Sequence, residues 1–330
     1  MKKKVFILFL IVLFSVQCSY GQNIIENSSE YLPDLDGILK TKVEYDLNNS
    51  MVRFEVRNAR FGVKGKINQY FAYRAELDLS DEGKIKMLDA YIKFTPVTNL
   101  DFYMGQRKIP FGTDYIRNPA ENIFANRSFL AKNINDGLRD IGFYVNYKIT
   151  GSIPVDITAG VVNGTGNNNP QWIDKPNIVG RLSVGPEKGI RVTGNFYAGQ
   201  AVYKEHLAMF GGEVRYSSGP FFIESEYIKG NWTDTLSVRQ HDDGFYIHSY
   251  YNFKLNNKMI YMLSPVARWD FIGKSVFANR ISGNRLTFGI NAGFEPKQFY
   301  AEIRLNYEKY LRRYLPIHTD KLTLEFIARF

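Results

Sequence analysis

The sequence has one cysteine in 330 residues, Cys18, and it lies in the N-terminal leader. Its four histidines, His206, His241, His248 and His318, are scattered without metal-ligand spacing, so no metal site and no cofactor is expected. No stretch beyond the leader approaches the roughly 20 apolar residues of a membrane-spanning helix. These absences exclude disulfide scaffolds, thiol chemistry, zinc-thiolate sites and helical spans from the mature chain. No feature implies a nucleic-acid partner.

What is present begins with a basic n-region, Lys2, Lys3 and Lys4, then an apolar run over 5–16 and the small residues Ser19 and Gly21. This is the pattern of a secretory signal peptide over 1–21. Gln17 is not the small residue that lipid attachment at Cys18 requires. Cleavage would remove three lysines and no acid, lowering the net charge from +9 to +6. A short lead over 22–36 would follow, and then a barrel over 37–330.

The remainder is written in period two. Leu39, Thr41, Val43, Tyr45 and Leu47 alternate with Lys40, Lys42, Glu44 and Asp46. Phe71 to Leu77 and Ile141 to Tyr147 repeat the pattern, and Ile303, Leu305 and Tyr307 oppose Glu302, Arg304, Asn306 and Glu308. Such segments are strands with one apolar and one ionic face. Turn-forming links near Asn68 and at 96–99, 150–152, 185–188, 217–219, 255–257 and 295–297 alternate with longer links at 110–137, 163–176, 231–243, 271–284 and 309–320. Sixteen strands are counted, within about two.

A closed sandwich could not bury so many charges without several kcal/mol for each unpaired ion. Those faces need water, and a barrel of about sixteen strands supplies a wet lumen while lipid takes the apolar exterior. Closure also pairs every backbone amide, as hydrocarbon demands. Phe94, Tyr147, Tyr216, Phe253, Phe294 and Phe299 fall near strand ends, where interfacial girdles would place them. Leu322, Leu324, Phe326, Ala328 and Phe330 alternate to a terminal aromatic, which looks like the signal read by the outer-membrane assembly machinery.

The blocks at 57–65 (RNARFGVKG), 88–96 (LDAYIKFTP), 104–112 (MGQRKIPFG), 126–128 (NRS) and 139–143 (RDIGF) resemble the phosphate-selective porin O and P family of Gram-negative outer membranes. The resemblance implies a sixteen-stranded barrel in the outer-membrane lipid, a homotrimer, and a third loop, here 110–137, folded inward to narrow the pore. It implies passage of small anions, phosphate or polyphosphate.

Arginine suits such a path because its fork donates bidentate bonds to oxyanions and never deprotonates. With Val52, Phe54 and Val56 toward lipid, Arg53 and Arg57 face the lumen; with Ala59, Phe61 and Val63 outward, so do Arg60 and Lys64. The change of phase predicts a bulge between Arg57 and Ala59. Arg74, Lys93 and Arg107 point inward by the same rule, while Lys108, Arg117, Arg127 and Arg139 belong to the constriction loop or its base. Acids share these faces, among them Glu44, Glu55, Glu76, Asp78, Asp89, Asp101, Glu224, Glu226 and Glu302, so cross-strand pairing competes with anion contact.

Other readings carry less. A non-selective porin needs the same barrel without the basic bias. Gly273, Lys274 and Ser275 end like a phosphate loop, but Arg268 stands where its first glycine belongs. A lipid hydrolase would use a serine and a histidine on the lipid face, yet His248 and Ser249 are adjacent and point to opposite faces.

Overall fold

The computed structural model describes residues 32–81, 84–134, 139–201, 204–257, 259–294 and 300–330. The leader with Cys18, the turn at 295–297 and Phe299 lie outside the described residues.

Seventeen strand segments form one closed antiparallel barrel. They are β1 (Asp34–Asp46), β2 (Met51–Lys66), β3 (Phe71–Asp81), β4 (Lys84–Val97), β5 (Leu100–Lys108), β6 (Arg139–Ile149), β7 (Val155–Val162), β8 (Asn177–Val184) and β9 (Gly189–Ala201), then β10 (Lys204–Ser218), β11 (Phe221–Thr233), β12 (Arg239–Tyr251), β13 (Phe253–Lys254), β14 (Ile260–Ser275), β15 (Arg280–Phe294), β16 (Tyr300–Arg312) and β17 (Lys321–Arg329). β12 and β13 both pair with β14 and are one stave broken at Asn252, so the staves number sixteen. Neighbours in sequence are neighbours in the wall, and β1 closes on β17 with Ile38 opposite Arg329.

An even number of staves returns both ends of the barrel wall to one rim. There Gly37 and Phe330 exchange backbone hydrogen bonds of 2.9 and 3.1 Å. A Cβ on residue 37 would come within 2.3 Å of the Phe330 ring, so glycine is what lets the terminal aromatic lie across the seam.

The barrel is inverted relative to a soluble domain. Leu39, Val52, Phe210 and Phe288 stand open on the outside, and Phe54 is 78% exposed, while Lys40, Lys42 and Glu44 are buried toward the axis. The open residues meet lipid, and the buried charges meet one another or water. On the outer face Phe71, Phe94, Phe102 and Phe143 stack in series across β3 to β6, with centroids 4.8, 6.2 and 5.9 Å apart. Tyr147, Tyr216 and Phe253 stand exposed at the rim with the short turns.

The bulge sits where the phase predicted it. Lys40 faces Asn58 and Thr41 faces Val56, which leaves Arg57 as the extra residue. Three links are shorter than read from the sequence, because β11 runs to Thr233, β12 starts at Arg239, β14 runs to Ser275, β15 starts at Arg280 and β16 runs to Arg312. Polar sequence there marks where the wall leaves the apolar slab, and backbone pairing continues beyond it. β1 likewise begins at Asp34, before the expected 37, and Asp36 binds Arg74 across the lumen face.

Candidate permeation pathway

The long link after β5 enters the barrel. Ile109, Phe111, Phe129 and Leu130 join Tyr144, Met209, Ile228 and Ile272 in an apolar cluster inside the lumen. A short helical turn, Thr113–Ile116, opens the inner limb. Its first amides, of Thr113 and Asp114, donate to the Glu226 carboxylate at 2.5 and 3.2 Å, satisfying donors that a helix start leaves without partners. Asn118 accepts from the amide of Ala120 and caps the 3-10 turn Pro119–Glu121.

Asp114 ties the two limbs together. Its carboxylate accepts from the amide and hydroxyl of Ser128 at 2.9 and 2.7 Å. Burial opposes its charge, yet Arg127, Arg268, Arg117 and the Ser128 bond hold this carboxyl well below the usual range.

The loop leans on the far wall. Arg268, Arg285 and Arg304 donate to the carbonyls of Asn126, Arg127 and Ala120 at 3.0, 2.8 and 3.0 Å. Lys40 reaches the Pro119 carbonyl at 3.2 Å, and Asn126 donates to Glu308 at 3.0 Å. The cations are also paired: Arg285 with Asp270 at 2.7 Å and Glu308 at 3.2 Å, and Arg304 with Glu325 at 3.2 Å and with Glu302. Each guanidinium is almost wholly buried, so these three cations are engaged by the wall and the loop.

The near wall, β2 to β6, is open. A cavity of about 990 Å³ lies between it and the loop, on the side of the long links. Arg53, Arg57, Arg60 and Arg139 line it from the wall, Lys86 from β4, and Arg127 and Lys132 from the loop, with Glu55 and Asp78 as the acids among the described residues. Glu55 lies within 3.3, 3.2 and 3.6 Å of Lys42, Arg53 and Arg57, and Glu44 also pairs with Lys42 and Arg53, so two carboxylates are shared among three cations. Burial and the nearby charges of Lys321, Arg57 and Arg285 push the Lys132 ammonium down, as expected where positive charge crowds.

The basic residues singled out from the sequence divide into groups. Arg53, which pairs with Glu44, and Arg57 are open, with side chains 64% and 45% exposed. Arg60 binds Asp78 at 3.0 Å and Glu76 at 3.3 Å, Arg74 binds Asp36 and Glu76, and Arg139 binds Asp89 at 2.9 Å. Lys93 lies 3.7 Å from Asp101, and Lys64 is exposed opposite Asp34 and Arg74 in register. Arg107 stacks 4.1 Å from the Tyr103 ring centroid, with Tyr91 and Tyr144 nearby.

Lys108 and Arg117 are committed to the loop itself. The ammonium closes the helical turn by donating to the carbonyls of Tyr115, Ile116 and Arg117, and Arg117 holds Glu224 through two bonds of 2.8 and 2.7 Å. Lys86 and Lys132 were absent from the sequence candidates, as were Arg268 and Arg285. The alternation that flagged Arg53 also marks Arg268, between Ala267 and Trp269. His248 lies inside the lumen, stacked on Tyr246 and Phe222 and edge-on to Phe124.

The family described as phosphate-selective porin O and P matches residues 39–171. Among curated proteins none matches the sequence. The barrel is similar to an anion-selective porin from Comamonas acidovorans, with TM-score 0.63 and 10% identity over 91% of this chain and 99% of that one. It is similar to Salmonella typhi OmpF, solved with daunomycin, with TM-score 0.63 and 11% identity over 93% and 99%. The trimer form of OmpT, an outer membrane protein of Vibrio cholerae, aligns with TM-score 0.58 and 11% identity over 91% and 98%. The chain thus carries the phosphate-selective porin O and P pattern on a porin-type barrel, and its place is the Gram-negative outer membrane.

Proposed function

We propose that this protein is a passive diffusion channel that favours small anions, phosphate among them, and that it works without catalysing a reaction. The observation that carries the reading is the open cavity on the near wall, lined among the described residues by seven basic side chains and two acids. Low-dielectric walls focus that charge, concentrating anions at the mouth. Shared carboxylates keep any one cation from binding an anion too tightly, which favours exit as well as entry.

The long links face outward in this reading, so solute meets the basic cavity first. Assembly as a homotrimer is part of the proposal, supported by the trimer form of the Vibrio cholerae relative in fold. The terminal strand ending in Phe330 serves as the assembly signal. The test is the reversal potential of single channels in planar bilayers under a potassium chloride gradient. The anion reading expects the sign of chloride preference; a cation-selective channel would sink it, and the absence of channels would sink the porin reading.

A further inference from the structure

A second space in the lumen differs in chemistry from the outer cavity. It is a pocket of about 150 Å³ toward the rim with the short turns, bounded by the ends of β12, β14, β15 and β16 and by loop residues 120–123. Its acids are matched. Glu302 pairs with Arg304, and Glu121, at the edge, lies 3.7 Å from Arg329. Among the described residues that line the pocket no basic excess remains, in contrast to the crowded cations of the outer cavity.

What the pocket offers is acceptors. Asn291 donates its amide nitrogen to the Ile123 carbonyl at 2.9 Å, which fixes the side chain with its oxygen spare. The Oδ1 atoms of Asn291 and Asn122 are shut off from bulk solvent and have no donor among the described residues, although each residue is only 6% exposed. Buried acceptors are not left so without cost. Two aromatic rings also line the pocket, Tyr250 and Tyr300. Tyr250 stacks on Phe222 with centroids 4.9 Å apart, and the Arg329 guanidinium lies 5.2 Å from the Tyr300 centroid, so each ring is braced by a neighbour.

We propose that this pocket binds a neutral, hydroxyl-rich solute the size of a single sugar ring. Its hydroxyls donate to Asn122 and Asn291, and its C–H face lies against a tyrosine ring, which is apolar on its faces and polar at its tip. A space of about 150 Å³ equals about five waters at roughly 30 Å³ each, room for one ring and too little for a chain of them. The inference goes beyond the anion reading and does not depend on it. It asks of the barrel only that the lumen admit the solute.

The test is saturation-transfer NMR with D-glucose on the folded barrel, in a detergent without a sugar headgroup. Wild type is expected to bind glucose saturably, and inorganic phosphate at equal concentration should not displace it. Asn122→Ala should weaken glucose about fivefold, the loss of one hydrogen bond. Its unfolding temperature on heat-modifiable gels should not fall, because the side-chain oxygen it loses holds no donor in the protein. Lys188→Gln, an exposed charge in a short turn of another part of the wall, should leave binding unchanged. Should Asn122→Ala not fold, Tyr300→Leu carries the test with a smaller loss, about threefold, from the lost apolar contact. Unsaturable glucose in wild type, displacement by phosphate, or wild-type affinity in whichever of these two variants is folded overturns the site. A cation-selective channel that still binds glucose overturns only the anion reading.

Discussion

The two walls of the lumen use the same residue types to opposite ends. On the far wall Arg268, Arg285 and Arg304 are buried, each donating to a loop carbonyl and each within reach of carboxylates. On the near wall Arg53 and Arg57 remain open, sharing Glu55 with Lys42. Arginine does not itself make a wall conductive. What differs is the ratio of acids to cations and whether the loop supplies backbone acceptors.

The comparison breaks most severely where a buried cation is removed. Arg285→Ala takes from Asp270 and Glu308 their nearest cation and from the Arg127 carbonyl its shorter hydrogen bond. Stripping one member from such a network costs about 3–5 kcal/mol. The expected outcome is a lowered unfolding temperature on heat-modifiable gels, with larger and noisier single-channel conductance as the loop loosens. Unchanged conductance would mean that this wall does not hold the loop.

The near wall should respond in the other quantity. Arg57→Ala with Arg60→Ala removes two cations from the outer cavity, and Arg60 alone is bound to Asp78 and Glu76. Stability should change little by comparison, while the anion-to-cation permeability ratio falls about threefold through the altered local potential. The measurement is reversal potential at low salt, since a Debye length of about 10 Å at 0.1 M leaves the effect visible and about 3 Å at 1 M hides most of it. A ratio that does not move would assign both arginines to the wall's internal pairing.

The sequence carried one half of this comparison. Period two told which residues face inward, and the slip between Arg57 and Ala59 became a bulge at Arg57. It could not tell the walls apart, because Arg53 and Arg268 have the same alternating neighbours and differ only in what the loop does above them. Contacts such as Arg304 with Ala120, 184 positions apart, leave no trace in local pattern. Lys132 was hidden for the same reason, lying in a loop without period. Acids were visible as competitors for the arginines, but the sharing of Glu55 among three cations needed the register of β1 and β2.

The smallest effect lies where the walls meet. His318, in the link after β16, packs 5.7 Å from Phe129 of the loop and 5.1 Å from Tyr310, and it also lines the outer cavity. Burial first, then the nearby Arg285, Lys132 and Lys321, push its imidazole down to about 4 from an ordinary 6.5. The folded state therefore favours the neutral ring. Its contribution is complete above about pH 6.5 and is lost as pH falls toward 4, because protonation sets a charge against Phe129 and the surrounding cations. The ring is half-exposed, so solvent screening keeps the effect modest. Conductance noise should rise as the bath is taken from pH 7 to pH 4.5, and His318→Phe should flatten that dependence while leaving the far-wall pins in place. A pH response identical in the variant would trace the acid sensitivity to the carboxylates rather than to the junction between this link and the loop.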